Sequence, residues 1–229
     1  MSMHRDPDQV VAGWRSGARL GRFAVRAGIA LAALASLPGC TSQQTTGESA
    51  AYLRIDTLFG ASGAEPAKFS GVLASDVLTR GGVFADNGQV TVRTVMKDPG
   101  AAENPNLPSS TNLITLNRYR VRFLRSDGRN QQGVDVPHEF DGAMTFTALA
   151  SGATGDFTLV RVQAKVEAPL MALRNLGGAL AISTVAEVTF YGRDQAGRQA
   201  SVSGTIGVNF ADWADPESGT DGGNQGVLM

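Results

Sequence analysis

The chain has 229 residues, 20 of them Lys or Arg and 21 Asp or Glu, with 42% hydrophobic and 18% charged side chains. That balance is too apolar for general disorder and lacks the A/E/K/L/R excess of a long helical assembly. From Cys40 onward, 190 residues carry 15 basic and 19 acidic side chains, a net charge of −4. This excludes a strong electrostatic attraction to nucleic acid or to an anionic membrane surface.

Arg15, Arg19, Arg22 and Arg26 precede an apolar run at 27–37, which leads into Leu37-Pro38-Gly39-Cys40. A basic stretch, a short apolar stretch and a small residue before a cleavage point make a secretory signal, so residues 1–39 are expected to be removed. The 11-residue run rises only about 16 Å as a helix, against a hydrocarbon core of about 30 Å, too short for a stable span. Leu37-Pro38-Gly39-Cys40 resembles the lipobox of bacterial lipoproteins, with Leu at the third position before the cysteine and small Gly immediately before it. The resemblance implies a diacylglyceryl group on the Cys40 thiol and cleavage on its N-terminal side. Two or three acyl chains then hold the protein on a membrane to which a single chain binds only reversibly. Cys40 is the only cysteine, so no disulfide closes within one chain even in an oxidising compartment. Residues 40–51 are polar and aperiodic, a flexible lipidated tether. Thr41 stands where lipoproteins retained at the inner membrane tend to carry Asp, so the resemblance implies the outer membrane if the host is Gram-negative.

Residues 52–213 are expected to form one β-sandwich domain. Period-two alternation bounded by Gly, Asp, Asn and Pro predicts strands over 53–58, 72–78, 90–96, 118–123, 144–149, 160–166, 182–190 and 202–210. Turn chemistry at Ser126-Asp127-Gly128, Asp141-Gly142, Gly152-Ala153-Thr154-Gly155 and 192–197 separates them. One short helix is predicted at 169–176, starting at Pro169 and stopping at Gly177-Gly178. A single short helix cannot supply parallel crossovers, so the fold class is all-β, an antiparallel two-sheet β-sandwich of about eight strands. The hairpin 187–197 with 202–206 resembles the closing pair of bacterial immunoglobulin-like or fibronectin type III-like modules. A Pro-rich loop at 98–111 exceeds the usual connection length. Residues 214–229, acidic and Gly-rich, are expected to be a disordered tail.

Chemistry-bearing motifs are sparse. Once residues 1–39 are removed, His138 is the only histidine, and Gly142 stands where His-Glu-x-x-His needs its second ligand, so a two-histidine metal site is excluded. No Gly-x-Ser-x-Gly elbow, phosphate loop or dinucleotide fingerprint occurs. Asp135, Glu139 and Asp141 cluster at a strand start, where solvated turn carboxylates are favoured over a glycosidase pair. Asn209, Asp212, Asp215 and Glu217 lack the ligand spacing of an EF-hand. No catalytic residue, metal or cofactor is therefore expected. Arg118, Arg120 and Arg122, with Arg125, form an arginine ladder on one strand face. They are candidate interaction residues for an anionic partner, weighed against a wet sheet face whose charges pair across strands; the acidic balance favours the latter.

These readings converge on a membrane-anchored, non-catalytic envelope lipoprotein. Its partners are expected to be the membrane, through Cys40, and an envelope protein, with no nucleic acid. The alternative is a glycan-binding module using loops at one end of the sandwich, followed by a hydrolase.

Overall fold

A computed structural model describes residues 48–213. The signal segment, Cys40, most of the tether and the tail at 214–229 lie outside the described residues. The described chain is mostly β: β1 (Ala51–Ala61), β2 (Val72–Asp76), β3 (Asp86–Met96), β4 (Gly100–Ala101), β5 (Asn104–Pro105), β6 (Ile114–Leu124), β7 (Phe140–Ala148), β8 (Ala153–Val160), β9 (Ile182–Asp194) and β10 (Gln199–Ala211). Between β8 and β9 sit one short helix, α1 (Val162–Val166), and a 3-10 turn, Leu170–Leu173.

Alternation carries the long strands. In β3, Val90, Val92 and Thr94 are buried while Gln89, Thr91 and Arg93 are half-buried on the other face. In β9, Thr184, Ala186, Val188 and Phe190 point inward. One sheet has the order β1-β3-β8 and is wholly antiparallel, and the other has the order β2-β10-β9-β6-β7. The sheets pack over a shared core that includes Leu53, Val90, Leu159, Val121, Phe190 and Val208. Phe157 of β8 bridges them, edge-on to Tyr119 of β6 at 5.1 Å and to Phe190 of β9 at 5.3 Å. Each such ring adds contact energy of about 0.5–1.5 kcal/mol to its area burial.

Several features differ from the expected elements, among them the Asp141-Gly142 turn, which lies inside β7. The described residues form ten strands rather than eight, because β4 and β5 make a two-residue ribbon inside the 98–111 loop, closed by Asn106 N–H donating to Pro99 O at 2.9 Å. Strand β8 occupies 153–160, so the Gly152-Ala153-Thr154-Gly155 turn is mostly strand. Gly155 is required there, since a Cβ would lie 2.4 Å from Phe146 Cε1. The alternating stretch 160–166 leaves the sheet after Val160 and becomes α1, with Val162 and Val166 exposed and Lys165 buried. The helix expected at 169–176 shrinks to a 3-10 turn because Leu170 and Leu173, three apart, are the pair that enters the core. Gly177 and Gly178, at φ 53 and 75, do supply the left-handed stop.

Strand β2 is also parallel to β10 rather than antiparallel. The crossover argument applies to parallel strands that follow each other in the chain. Here β2 leaves the β1 sheet, caps the far edge of the other, and the chain returns for β3.

The strand register defines two ends. Ala51 pairs with Met96, and Ile114 pairs with both Ala148 and Asp194, so the start of the described chain, the 98–113 loop, the Leu149–Gly152 turn and the β9–β10 hairpin share a proximal end. Ser49 fastens the chain there, its Oγ donating to Asp194 Oδ2 at 2.8 Å. The loops after β1, β2, β6 and β8, and the exit at Trp213, make the distal end.

Candidate functional site

The arginine ladder lies on β6, between β9 and β7. A bulge between Leu116 and Arg118 resets the alternation, so that Leu116 and Tyr119 are both buried and the three arginines face outward. Arg120 stands opposite Asp141 of β7 and donates to it from Nε and Nη2 at 3.3 and 3.0 Å. The Arg118 guanidinium lies over the Tyr191 ring at 4.2 Å, with Nη1 3.5 Å from Asp141 Oδ1. Arg161 donates to the Asp141 carbonyl and stacks on Phe140 at 4.0 Å. The Arg120 hydrogen bond holds the Asp141 carboxyl below the usual carboxylate range, and Asp141 in turn raises Arg120. Arg122 faces Glu187 in register, yet among the described residues no carboxylate lies within 4.0 Å of it. The face is therefore locally compensated at Arg118 and Arg120, with Arg122 as its outlying cation.

The carboxylate cluster does not converge. Asp135 accepts from Gln131 N–H at 3.2 Å inside its own loop, Glu139 is exposed, and Asp141 is occupied by arginines. Arg125 and Arg129 both reach Asp127, and the Arg125 hydrogen bond leads in holding that carboxyl far below its ordinary range. His138 packs over Gly133, where a Cβ would meet Nε2 at 2.6 Å, and it borders an open cleft of 160 Å³ with Glu139, Arg161, Gln163 and Glu167. No hydrogen-bond partner orients its ring among the described residues. Asn209 is a half-buried position in β10, Asp215 and Glu217 lie outside the described residues, and no group of three His, Cys, Asp or Glu is placed to hold a metal among the described residues.

Sequence reasoning missed a buried polar network. Lys165 Nζ lies 2.7 Å from Asp86 Oδ1 and 2.7 Å from Asp76 O. Ser75 Oγ donates to Asp86 Oδ2 at 2.5 Å, and Gly63 N–H to Oδ1 at 2.8 Å. Asp76 accepts from Thr79 Oγ1 and from Trp213 N–H. Burial pushes the Asp86 carboxyl up against the pull of Lys165. Every polar atom named here has a partner, and the network clamps α1 to β2 and β3. In the sequence Lys165 breaks no alternation, since it falls between Ala164 and Val166 where a strand would turn it to solvent, so nothing there marks it as buried.

No family model matches the chain, and no curated protein or solved structure does so either.

Proposed function

We propose that the chain is an envelope lipoprotein, acylated on Cys40, whose β domain is a non-catalytic module for binding an envelope protein. The observation that carries this reading is the order basic stretch, apolar run, Leu37-Pro38-Gly39-Cys40 and polar tether. Two further facts support it: Cys40 is the only cysteine, and strand β1 begins at Ala51, leaving a short linker between an acylated thiol and the folded body. We further read the three- and five-stranded sheets as an immunoglobulin-like sandwich closed by the β9–β10 hairpin. The sorting reading places the protein at the outer membrane on the strength of Thr41.

Cys40→Ser is expected to abolish incorporation of a clickable fatty acid and to leave an uncleaved precursor; equal labelling of the variant would sink the anchor. Thr41→Asp moves the protein to the inner membrane in fractionated envelopes, and unchanged fractionation removes the sorting claim alone. Crosslinking in intact envelopes followed by pull-down recovers one reproducible protein partner, and a clean pull-down at matched abundance refutes the interaction role.

A further inference from the structure

We infer that the domain stands on its proximal end when anchored, turning the 98–113 loop, the Leu149–Gly152 turn and the β9–β10 hairpin toward the bilayer and the distal end away from it. The inference rests on acylation of Cys40 as read above.

Chain length sets the constraint. Ser49 is buried and bonded to Asp194 at the proximal end. The nine residue steps from Cys40 to Ser49 can span at most about 30 Å. Strands β9 and β10 have 13 residues each, which at roughly 3.3 Å per residue separates the two ends by about 40 Å. A domain resting on its distal end would hold Ser49 farther from the lipid than the tether reaches. Inversion is therefore excluded by covalent length alone.

The surfaces select standing over lying. Leu107, between Pro105 and Pro108, is 73% exposed, the highest value for a large hydrophobic side chain among the described residues, and Leu149, in the turn after β7, is exposed at the same end. Such side chains gain from entering the headgroup boundary. Toward the proximal end the sheet faces carry paired cations, Arg54 and Arg93 on Asp56 at 3.0 and 2.6 Å and Arg120 on Asp141 at 3.0 Å, whereas the exposed Phe59, Val72 and Val185 and the outlying Arg122 lie in the distal half of the strands. These pairs offer little to a zwitterionic or anionic surface. The distal end, with the cleft beside His138 and a second of 290 Å³ lined by Gly63, Ala64, Thr79, Arg80, Gly82 and Phe84, is then left facing away from the membrane.

Acylation consumes the only thiol, so a single introduced cysteine can be labelled uniquely. Full-length Leu107→Cys, Ser203→Cys and Leu180→Cys are produced in bacteria, checked for fatty acid on Cys40 and for a strand-dominated circular dichroism spectrum, and labelled with a fluorophore. They are then reconstituted in phosphatidylethanolamine–phosphatidylglycerol vesicles bearing a headgroup nitroxide. Quenching is expected to be several-fold stronger at Leu107 than at Leu180, with Ser203, on the outer sheet face, between them. Inserting about twenty Gly and Ser residues after Thr46 is expected to shrink that contrast, since reach grows with linker length. Equal quenching at Leu107 and Leu180 on acylated protein, or the strongest quenching at Ser203, overturns the orientation while leaving the anchor intact. Absence of fatty acid on Cys40 overturns the anchor itself, and the orientation with it.

Discussion

Lys165 and Asp86, 79 residues apart, form an ion pair of 2.7 Å in which the two side chains are 1% and 0% exposed. A charge taken from water this completely is tolerated only when it is paired and its remaining hydrogen-bonding capacity is met. Asp76 O, Ser75 Oγ and the Gly63 N–H supply that remainder.

Lys165→Met is accordingly expected to cost roughly 3–5 kcal/mol at pH 7, because it strands a buried carboxylate. Burial already raises the Asp86 pKa, and without Lys165 nothing cationic opposes it. A carboxyl whose folded pKa lies above its unfolded value of about 3.9 loses stability as pH rises through that interval, so the variant's deficit is largest at neutral pH and shrinks toward pH 4. Urea unfolding at both pH values measures this; a pH-independent deficit would show that the loss is one of packing.

Asp194 has the opposite sign. Burial works to raise its pKa, but hydrogen bonds from Ser49, the Arg198 N–H and the Arg198 guanidinium hold it below the ordinary value. Its stabilisation is present above the unfolded pKa of about 3.9 and is lost as pH falls through the folded value. Wild type is expected to weaken as pH drops below about 4, and Asp194→Asn to be weaker at neutral pH yet flatter across that range. An equally steep acid limb in the variant assigns the dependence to other carboxylates.

Gly142 and Gly155 are among the glycines whose neighbours leave no room for a side chain. A Cβ on Gly142 would lie 2.2 Å from Tyr119 Cζ, and one on Gly155 2.4 Å from Phe146 Cε1, whereas Gly71 has nothing within 4 Å. Gly142→Ala and Gly155→Ala are expected to cost about 1–3 kcal/mol by overpacking, and Gly71→Ala to stay within about 0.5 kcal/mol. Denaturant midpoints decide, and a silent Gly155→Ala would mean that Phe146 moves freely.

Val188 is fully buried in β9 and its neighbour Glu187 is half-buried on the outer face. Val188→Asp is expected to unfold the domain or nearly so, and Glu187→Ala to be close to neutral. Thermal melts that reversed this order would put β9 one residue out of register.

Arg122 separates an interface from a merely wet face. It lacks the acidic partner that holds Arg118 and Arg120, so Arg122→Glu leaves the fold intact and is expected to lower recovery of a crosslinked envelope partner. His138→Ala, with no orienting group on its ring, leaves recovery unchanged. Both are read at abundance matched by immunoblot, and loss in the His138 variant alone moves the site to the distal cleft.

Alternation alone located most of the long strands, because a strand with one dry face must place its apolar residues two apart. Val90, Val92 and Thr94, and Ala186, Val188 and Phe190, obey that rule wherever the facing sheet covers them. The proposed Cys40 signal is likewise written in consecutive residues, since the peptidase and transferase that such a signal would engage recognise only the local chain. What alternation could not report is which residues end up covered. Val162 and Val166 alternate as a strand would, but they turn away on α1 because Lys165 is drawn inward by Asp86, a partner supplied by another strand. The phase reset between Leu116 and Tyr119 and the parallel pairing of β2 with β10 arise in the same way. Burial of a charge, a bulge or a strand edge depends on groups brought together from distant positions, and only the folded arrangement supplies them.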